Sequence, residues 1–201
     1  MRLIGFLLGM LLIVVVPVVA QDESPNTTAY TVFLQRGIDA TGLDRLTFVN
    51  TQTGAQIDID TYGERYTPAG DAILFYNWAT NRVILATRDG NLTEHPFIQP
   101  NIETQRVDWV ISDDQTRIAW TLTNVDSVGR LTTVTTVANL DGAGQREVLV
   151  DGPSDQGFRA LPLAFSEDNA TLYMDMHLDG LNSRMPITQY VQLFALDLES
   201  G

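Results

Sequence analysis

The stretch SDDQTRIAW at residues 112–120 joins a polar turn to an apolar strand, and the sequence contains two related stretches. These are TPAGDAILF at 67–75 and SEDNATLYM at 166–174. Each begins with a hydroxyl residue, continues through a polar turn and ends in an apolar strand. Their starts lie 45 and 54 residues apart, which is the spacing of four-stranded units in a repeat protein. An aromatic residue precedes each turn: Tyr66, Trp109 and Phe165.

A second element recurs in phase with the first, a strand that ends in a turn containing glycine. Its copies lie at 46–54, 83–90, 136–142 and 191–201, and each ends in a glycine. The two elements together repeat at about 40 to 55 residues, which is the length of a four-stranded propeller blade. The repeats therefore predict blades.

The rest of the chain from Tyr30 onward is typical of an all-β protein. Short runs rich in Val, Ile, Thr and aromatic residues alternate with clusters of Gly, Asp, Asn and Pro, and no window carries a sustained helical stripe. The predicted strands are 31–35, 46–49, 72–78, 83–87, 107–111, 117–122, 131–140, 147–150, 161–165, 171–176 and 190–198.

These stretches resemble the TolB-like and WD-like β-propeller repeats, in which a Ser-Pro-Asp-Gly turn precedes an apolar strand and a later strand ends in Asp-Leu-x-x-Gly. The same repeats build the propeller of prolyl-oligopeptidase-type peptidases. The copies at 67–70, 112–115 and 166–169 are degenerate, whereas DLESG at 197–201 matches the strand ending well. The resemblance covers residues 30–201 and implies a partial β-propeller of about three to four four-stranded antiparallel blades. It implies a fold and not an activity.

The repeat region is too short for a closed propeller, which takes roughly four to eight blades. At about 50 residues per blade, residues 21–201 supply fewer than four. An array that stopped there would leave an unpaired strand edge and an uncovered blade face. We therefore expect the repeats to continue in a longer protein. The alternative is a complete short chain whose blades are closed by self-association.

The first 20 residues predict a secretory signal peptide. Arg2 supplies a positive charge, residues 3–16 are uninterrupted by a polar side chain, and Val18 and Ala20 fit the −3 and −1 positions of a cleavage site. The alternative is an uncleaved anchor, because the apolar segment is near the lower limit for spanning a bilayer. Both outcomes predict a secreted, periplasmic or cell-envelope protein. Residues 21–29 are predicted to be a flexible leader.

Charge and composition exclude several classes of protein. The chain carries 12 Lys+Arg against 25 Asp+Glu, a formal net charge of −13, and all of its basic residues are scattered arginines. A nucleic-acid partner is not expected, because binding a phosphate backbone needs a clustered basic surface. The lack of cysteine excludes disulfides, thiolate metal sites and cysteine nucleophiles. No cofactor is predicted.

One predicted strand carries a candidate metal site. In DMHLD at 175–179, Asp175, His177 and Asp179 alternate, so that a strand would project all three from one face. Two carboxylates and an imidazole could hold a divalent metal or transfer a proton. The alternative is a solvated strand end that runs into the next loop.

Other polar and aromatic residues are expected to have structural roles. GPSDQG at 152–157 resembles the hydrolase elbow G-x-S-x-G but has one residue too many, so we expect a loop between blades and no nucleophilic role for Ser154. His95, in a polar loop before a proline, is expected at the surface. No catalytic residue is assigned. The aromatic residues expected in the blade core are Trp109, Trp120 and Tyr173.

Three sequons would accept glycans in a eukaryotic secretory pathway. They begin at Asn26, Asn91 and Asn169. Asn169 falls on a predicted hairpin turn, where we expect it to be accessible.

The sequence favours a non-catalytic extracytoplasmic propeller that offers its connecting loops to a protein or glycan partner. No membrane contact is expected of the mature chain unless the signal is uncleaved. One alternative is the front part of a propeller that gates a downstream hydrolase domain of the prolyl-oligopeptidase kind. The other is a metal-binding module that uses Asp175, His177 and Asp179.

Overall fold

The computed structural model describes residues 14–16, 29–155, 158–178 and 192–199, and it describes side chains over 29–155, 159–176 and 192–199. The described residues form four antiparallel sheets of three or four strands, which confirms the all-β prediction. Within these ranges, no helix is long and apolar enough to cross a bilayer. The strands are β1 (Val14–Val16), β2 (Tyr30–Gln35), β3 (Asp44–Asn50), β4 (Gln56–Thr61), β5 (Glu64–Ala69), β6 (Ala72–Asn77), β7 (Arg82–Thr87), β8 (Leu92–Glu94), β9 (Thr104–Ile111), β10 (Arg117–Val125), β11 (Leu131–Asn139), β12 (Arg146–Ser154), β13 (Phe158–Phe165), β14 (Thr171–Leu178) and β15 (Leu193–Asp197).

Each sheet is a meander in which consecutive strands are neighbours. The four sheets have the orders β1-β2-β3-β4, β5-β6-β7-β8, β12-β11-β10-β9 and β13-β14-β15. Short turns between sequential strands produce this arrangement, because an antiparallel neighbour is the nearest pairing partner after a tight turn.

The turn between the first two strands has the same backbone geometry in three of the sheets. Gly70, Gln115 and Asn169 occupy equivalent positions of the three related stretches, and their φ angles are 57°, 58° and 58°. In two of these turns a serine hydroxyl donates to an aspartate two residues later, from Ser112 to Asp114 and from Ser166 to Asp168, each at 2.6 Å. The polar residues at these positions are therefore turn formers.

The turn between the third and fourth strands is also shared. Gly54, Gly90 and Gly142 lie there with φ of 72°, 87° and 89°, a region that glycine enters without steric cost. In each turn the glycine N–H donates to a backbone carbonyl three or four residues earlier. The predicted glycine turns at these three positions are confirmed, and Gly201 lies outside the described residues.

The described residues of Met1–Thr80 and Ile84–Thr93 form one compact unit, here called unit 1. Alternation in β3 sends Leu46 and Phe48 into its core while Arg45 and Thr47 face the solvent side. Burying a side chain of this size contributes roughly 1.5–3 kcal/mol. The buried cluster consists of Leu46, Phe48, Ile59, Ile73, Phe75, Ile84 and Ala86.

Asn81–Val83 and the described residues of Glu94–Gly201 form a second compact unit, here called unit 2. Strands β10 and β11 carry buried threonines that oppose one another on one face. Thr121 and Thr135 are directly opposed on β10 and β11, fully buried, and their hydroxyl groups lie 2.7 Å apart. The apolar cluster of this unit consists of Ala119, Val137, Ala160, Leu172, Met174 and Leu198.

Four strands were not predicted from the sequence: β1, β4, β5 and β8. The predicted polar turn at 67–70 is wrong in part, because Thr67, Pro68 and Ala69 belong to β5 and only the residues after Ala69 form the turn. A proline is tolerated here because β5 is an edge strand. Similarly, β12 extends to Ser154, so the expected loop begins later than predicted.

One of the three aromatic residues predicted in the core is exposed. Tyr173 is 46% exposed, so its predicted place in a core is wrong, whereas Trp109 and Trp120 are buried as predicted.

Part of the predicted signal peptide forms a strand. Val14–Val16 form β1 and pair with β2 in the register Val15 to Phe33. The rest of the predicted signal and nearly all of the leader at 21–29 lie outside the described residues.

Candidate binding surface

Three connections of unit 1 meet at one end of its strands. They are the β2–β3 loop, the short β4–β5 link and the turn that follows β6. In a meander, alternate connections fall at the same end of the strands, which brings them together. Thr41 Oγ1 lies 3.0 Å from the Tyr62 hydroxyl, and the Tyr62 and Trp78 rings are 5.1 Å apart between centroids.

Trp78 is the exposed member of this group. It is 51% exposed, while the other two tryptophans, Trp109 and Trp120, are buried. Its ring meets Tyr62 edge-on at an interplanar angle of 65°. The turn that carries it is fixed by the Asn77 side-chain oxygen, which accepts hydrogen bonds from the two backbone N–H groups that follow Trp78, at 3.0 and 3.2 Å. Thr41, Tyr62 and Trp78 are called the aromatic patch below.

Asp39 organises the loop beside the aromatic patch. Its Oδ1 accepts hydrogen bonds from the Thr41 hydroxyl at 2.7 Å and from the Thr41 and Leu43 backbone N–H groups at 2.9 and 3.1 Å. The Thr41 hydroxyl, followed by the Leu43 N–H, lowers the pKa of the Asp39 carboxyl. The loop therefore carries a negative charge at neutral pH.

An ion pair between a buried aspartate and a half-exposed arginine supports the same end of unit 1. Asp44 is 2% exposed, and its carboxylate accepts from Arg36 Nε at 2.8 Å, from the Gly37 N–H at 2.9 Å and from the Tyr66 hydroxyl at 3.0 Å. Burial, followed by the nearby Asp44 charge, raises the pKa of Tyr66, so this hydroxyl stays protonated and donates. The network fixes the start of the β2–β3 loop.

The link between β4 and β5 is held close to this network. Arg36 Nη2 donates to the Gly63 carbonyl at 3.3 Å. A Cβ at Gly63 would meet the Phe75 ring at 2.7 Å, so only glycine fits without a shift of its neighbours. This close approach fixes the position of Tyr62, the residue between the end of β4 and Gly63.

His95 is buried in unit 2, so the predicted surface position is wrong. It is 4% exposed, and its Nδ1 accepts the Ile98 backbone N–H at 3.1 Å. Its ring packs edge-on against Phe97 at 4.3 Å. Burial lowers its pKa from 6.5 to about 4, so the imidazole is neutral at pH 7. His95 caps the turn before Ile98.

A small cavity of about 140 Å³ lies beside this histidine. An ion pair borders it, with Arg82 Nε 3.4 Å from Glu94 Oε1. The volume accommodates a few water molecules and is below the size of an ordinary ligand pocket. Its lining residues are Arg82, Val83, Glu94, His95, Ile98, Gln99 and Pro100.

The predicted metal site is only partly described. Asp175 is 2% exposed on β14 and its Oδ1 accepts the Gln192 N–H at 2.9 Å, so this position is not the solvated strand end of the alternative interpretation. Arg159 is buried on β13 and sits diagonally across the pairing from Asp175, within reach of a long side chain. The His177 side chain and Asp179 lie outside the described residues. The described residues contain no group of three or more potential ligands placed to hold a metal.

The three sequons occupy different environments. Asn91 is exposed in the β7–β8 turn, and its Nδ2 donates to Asp89 at 2.6 Å. Asn169 is half-buried, and its Nδ2 donates to Asp114 at 2.8 Å, so the amide nitrogen that a glycan would modify is already bonded. Asn169 lies in the predicted turn between β13 and β14, and its accessibility to a glycan stays a prediction. Asn26 lies outside the described residues.

Sequence reasoning did not identify the aromatic patch. Trp78 was assigned to the end of a strand over 72–78, but β6 ends at Asn77 and Trp78 belongs to the turn. The available signal was a tryptophan inside the polar stretch NWATN at 77–81, where a core role is not needed. The contact with Tyr62, 16 residues earlier, could not be read from spacing.

Comparisons with known proteins identify no relative. A scan against family models, a search of curated proteins and a search of solved structures each gave no match.

Proposed function

We propose that this chain is a non-catalytic binding module, secreted or held in the cell envelope, that presents the connections at one end of its sheets to a protein or glycan partner. The exposed position of Trp78 against Tyr62 carries the proposal. Tryptophan and tyrosine combine a large apolar surface with a polar group, and both are enriched in binding sites. An exposed tryptophan in a turn fixed by hydrogen bonds keeps a large apolar surface in water, and binding a partner would remove that surface from water.

The shared turn geometry supports a propeller-type arrangement of blades. Left-handed residues recur at the first turn of three sheets and at the third turn of three sheets. Such recurrence is typical of modules in which every unit places its loops on common faces. The apolar segment at 3–16 and the cleavage motif that follows it support an extracytoplasmic location.

Binding to isolated cell envelopes of the native host tests the function. We expect the purified protein to co-sediment saturably with washed envelopes, and Trp78→Ala to weaken this binding by at least tenfold. Leu92→Ala removes another exposed hydrophobic side chain of unit 1, 45% exposed, and serves as the control with unchanged binding. Equal binding by wild type and Trp78→Ala, or no saturable binding by wild type, would refute the proposal.

A further inference from the structure

The aromatic patch offers a small exposed apolar surface. Three large hydrophobic side chains of unit 1 are exposed among its described residues: Ile57, Trp78 and Leu92. Ile57 is near the start of β4 and Leu92 begins β8, so both lie at the strand ends opposite the aromatic patch. Among the described residues of unit 1, the exposed apolar surface at this end is therefore that of the Trp78 indole ring. A tryptophan side chain offers roughly 150–250 Å², whereas a stable protein interface buries about 800 Å² per partner.

The groups around Trp78 are polar. Arg36, the cation of the network that supports this end of unit 1, is already engaged in an ion pair. The Tyr62 ring packs edge-on against Trp78, its hydroxyl lies 3.0 Å from the Thr41 hydroxyl, and Asp39 places a carboxylate on the same loop as Thr41. Arg36 is already paired with Asp44 at 2.8 Å and bonded to a backbone carbonyl. With a net charge of −13 on the chain, an anionic ligand would be repelled.

We propose that the aromatic patch binds one pyranose ring of an uncharged saccharide, stacked on Trp78, with the sugar hydroxyls facing Thr41 and Tyr62. The C–H groups of a sugar ring suit the negative face of an aromatic system. The Thr41 hydroxyl donates to Asp39, so the Tyr62 hydroxyl donates to Thr41, and both oxygens keep lone pairs that can accept hydrogen bonds from sugar hydroxyls. This inference rests on the proposed function and specifies the chemical class of its partner.

The fixed geometry of the patch strengthens the argument. Tyr62 holds the Trp78 ring from one side, Thr41 holds the Tyr62 hydroxyl, and Asn77 holds the turn. A ligand that stacks on such a ring orders few side chains on binding, which lowers the entropic cost of a small contact.

Tryptophan fluorescence tests the proposal directly, because Trp78 is exposed while Trp109 and Trp120 are buried. Acrylamide should quench chiefly Trp78. We expect neutral hexasaccharides of glucose, mannose, galactose or N-acetylglucosamine to protect it from quenching, with at least one of them saturating, and oligogalacturonate to give no protection. Trp78→Tyr should retain part of the affinity measured by calorimetry, Trp78→Ala should lose at least tenfold, and Leu92→Ala should bind as wild type.

The outcomes separate this proposal from the broader one. Protection by no neutral hexasaccharide, or equal calorimetric affinity in Trp78→Ala, overturns saccharide binding at the patch. Envelope binding that depends on Trp78, survives periodate oxidation of the envelopes and is lost after protease treatment also overturns it, and leaves the binding-module proposal standing with a protein partner. Envelope binding that is lost after periodate and survives protease supports the saccharide.

Discussion

Asp44 and Asp60 are two carboxylates of unit 1 in opposite environments. Asp44 is 2% exposed and accepts from Arg36, Gly37 and Tyr66. Asp60 lies on an exposed strand surface and pairs with Arg45 at 2.6 Å, an interaction that lowers the pKa of Asp60. An amide in place of the buried Asp44 carboxylate would turn an NH2 group toward hydrogen-bond donors that a carboxylate oxygen now accepts, whereas the exposed Asp60 pair is solvated and screened.

We therefore expect Asp44→Asn to reduce the free energy of unfolding of unit 1 by about 1–3 kcal/mol, and Asp60→Asn to change it far less. Urea denaturation of both variants at pH 7 measures the difference. Raising the salt concentration should weaken the Asp60 contribution and leave that of Asp44 nearly unchanged. Equal destabilisation by the two substitutions would contradict the role given to the buried network.

His95 makes the stability of unit 2 depend on pH. Its pKa is lowered by burial from 6.5 to about 4, so the folded protein resists protonation that the unfolded chain accepts. The stabilisation from neutral His95 is fully present above pH 6.5 and is lost as the pH falls toward 4, by at most about 3 kcal/mol.

Denaturation midpoints measured between pH 7 and 4.5 check this expectation. His95→Gln is the matched variant, because its amide oxygen can accept the Ile98 N–H hydrogen bond and does not titrate. We expect the loss of stability over this range to be clearly smaller in His95→Gln than in wild type. Identical pH profiles for the two proteins would show that another group causes the change.

At the scale of elements, alanine substitutions at two turn glycines distinguish the energetic cost of backbone strain from the cost of side-chain overlap. Gly129 and Gly142 have φ of 88° and 89°, so an alanine at either position is strained to the same degree. A Cβ at Gly129 meets nothing within 4 Å, but one at Gly142 would lie 2.7 Å from the Phe97 ring. Phe97 packs in turn on His95 and Trp120, which restricts its movement.

We expect Gly129→Ala to cost about 1–2 kcal/mol from the left-handed backbone, and Gly142→Ala to cost roughly 1–3 kcal/mol more from overpacking. Chemical denaturation of unit 2 gives both values. Phe97→Leu in the Gly142→Ala background should recover part of the added loss, since the smaller side chain leaves space for the methyl group. If both alanine variants lose the same stability, Phe97 does not constrain the turn.

The sequence predicted most strands because their apolar residues alternate or run together between turn formers, as in β3 and β10. Strand β4 was missed because Asp58 and Asp60 are unfavourable in strands taken alone. Their partners lie directly opposite on β3, where Thr47 donates to Asp58 at 2.6 Å and Arg45 pairs with Asp60. This compensation depends on pairing register, which a local pattern does not contain.

The candidate site was less predictable than the fold for a similar reason. The buried state of His95 depends on the segment that follows it, which packs Phe97 and Ile98 around the ring. The aromatic patch depends on three connections that are distant in sequence and adjacent in space. Motifs with fixed spacing identify neither arrangement, because both arise from contacts between separate turns.

At the scale of the whole molecule, Val14–Val16 belong both to the predicted signal peptide, which cleavage would remove, and to the first sheet. These residues pair with β2 as the edge strand β1. Cleavage after Ala20 would remove them and leave one side of β2 without its partner. An unpaired strand edge exchanges its backbone hydrogens quickly and is a site where another strand can add.

We expect the exported protein to begin at Gln21. Hydrogen exchange followed by mass spectrometry should then show faster exchange for residues 30–35 of β2 than for residues 44–50 of β3, which pair with strands on both sides. N-terminal sequencing of the same sample establishes which segment is present. A chain that begins at Gln21 but protects β2 and β3 equally would contradict the open edge and would require a second strand on β2.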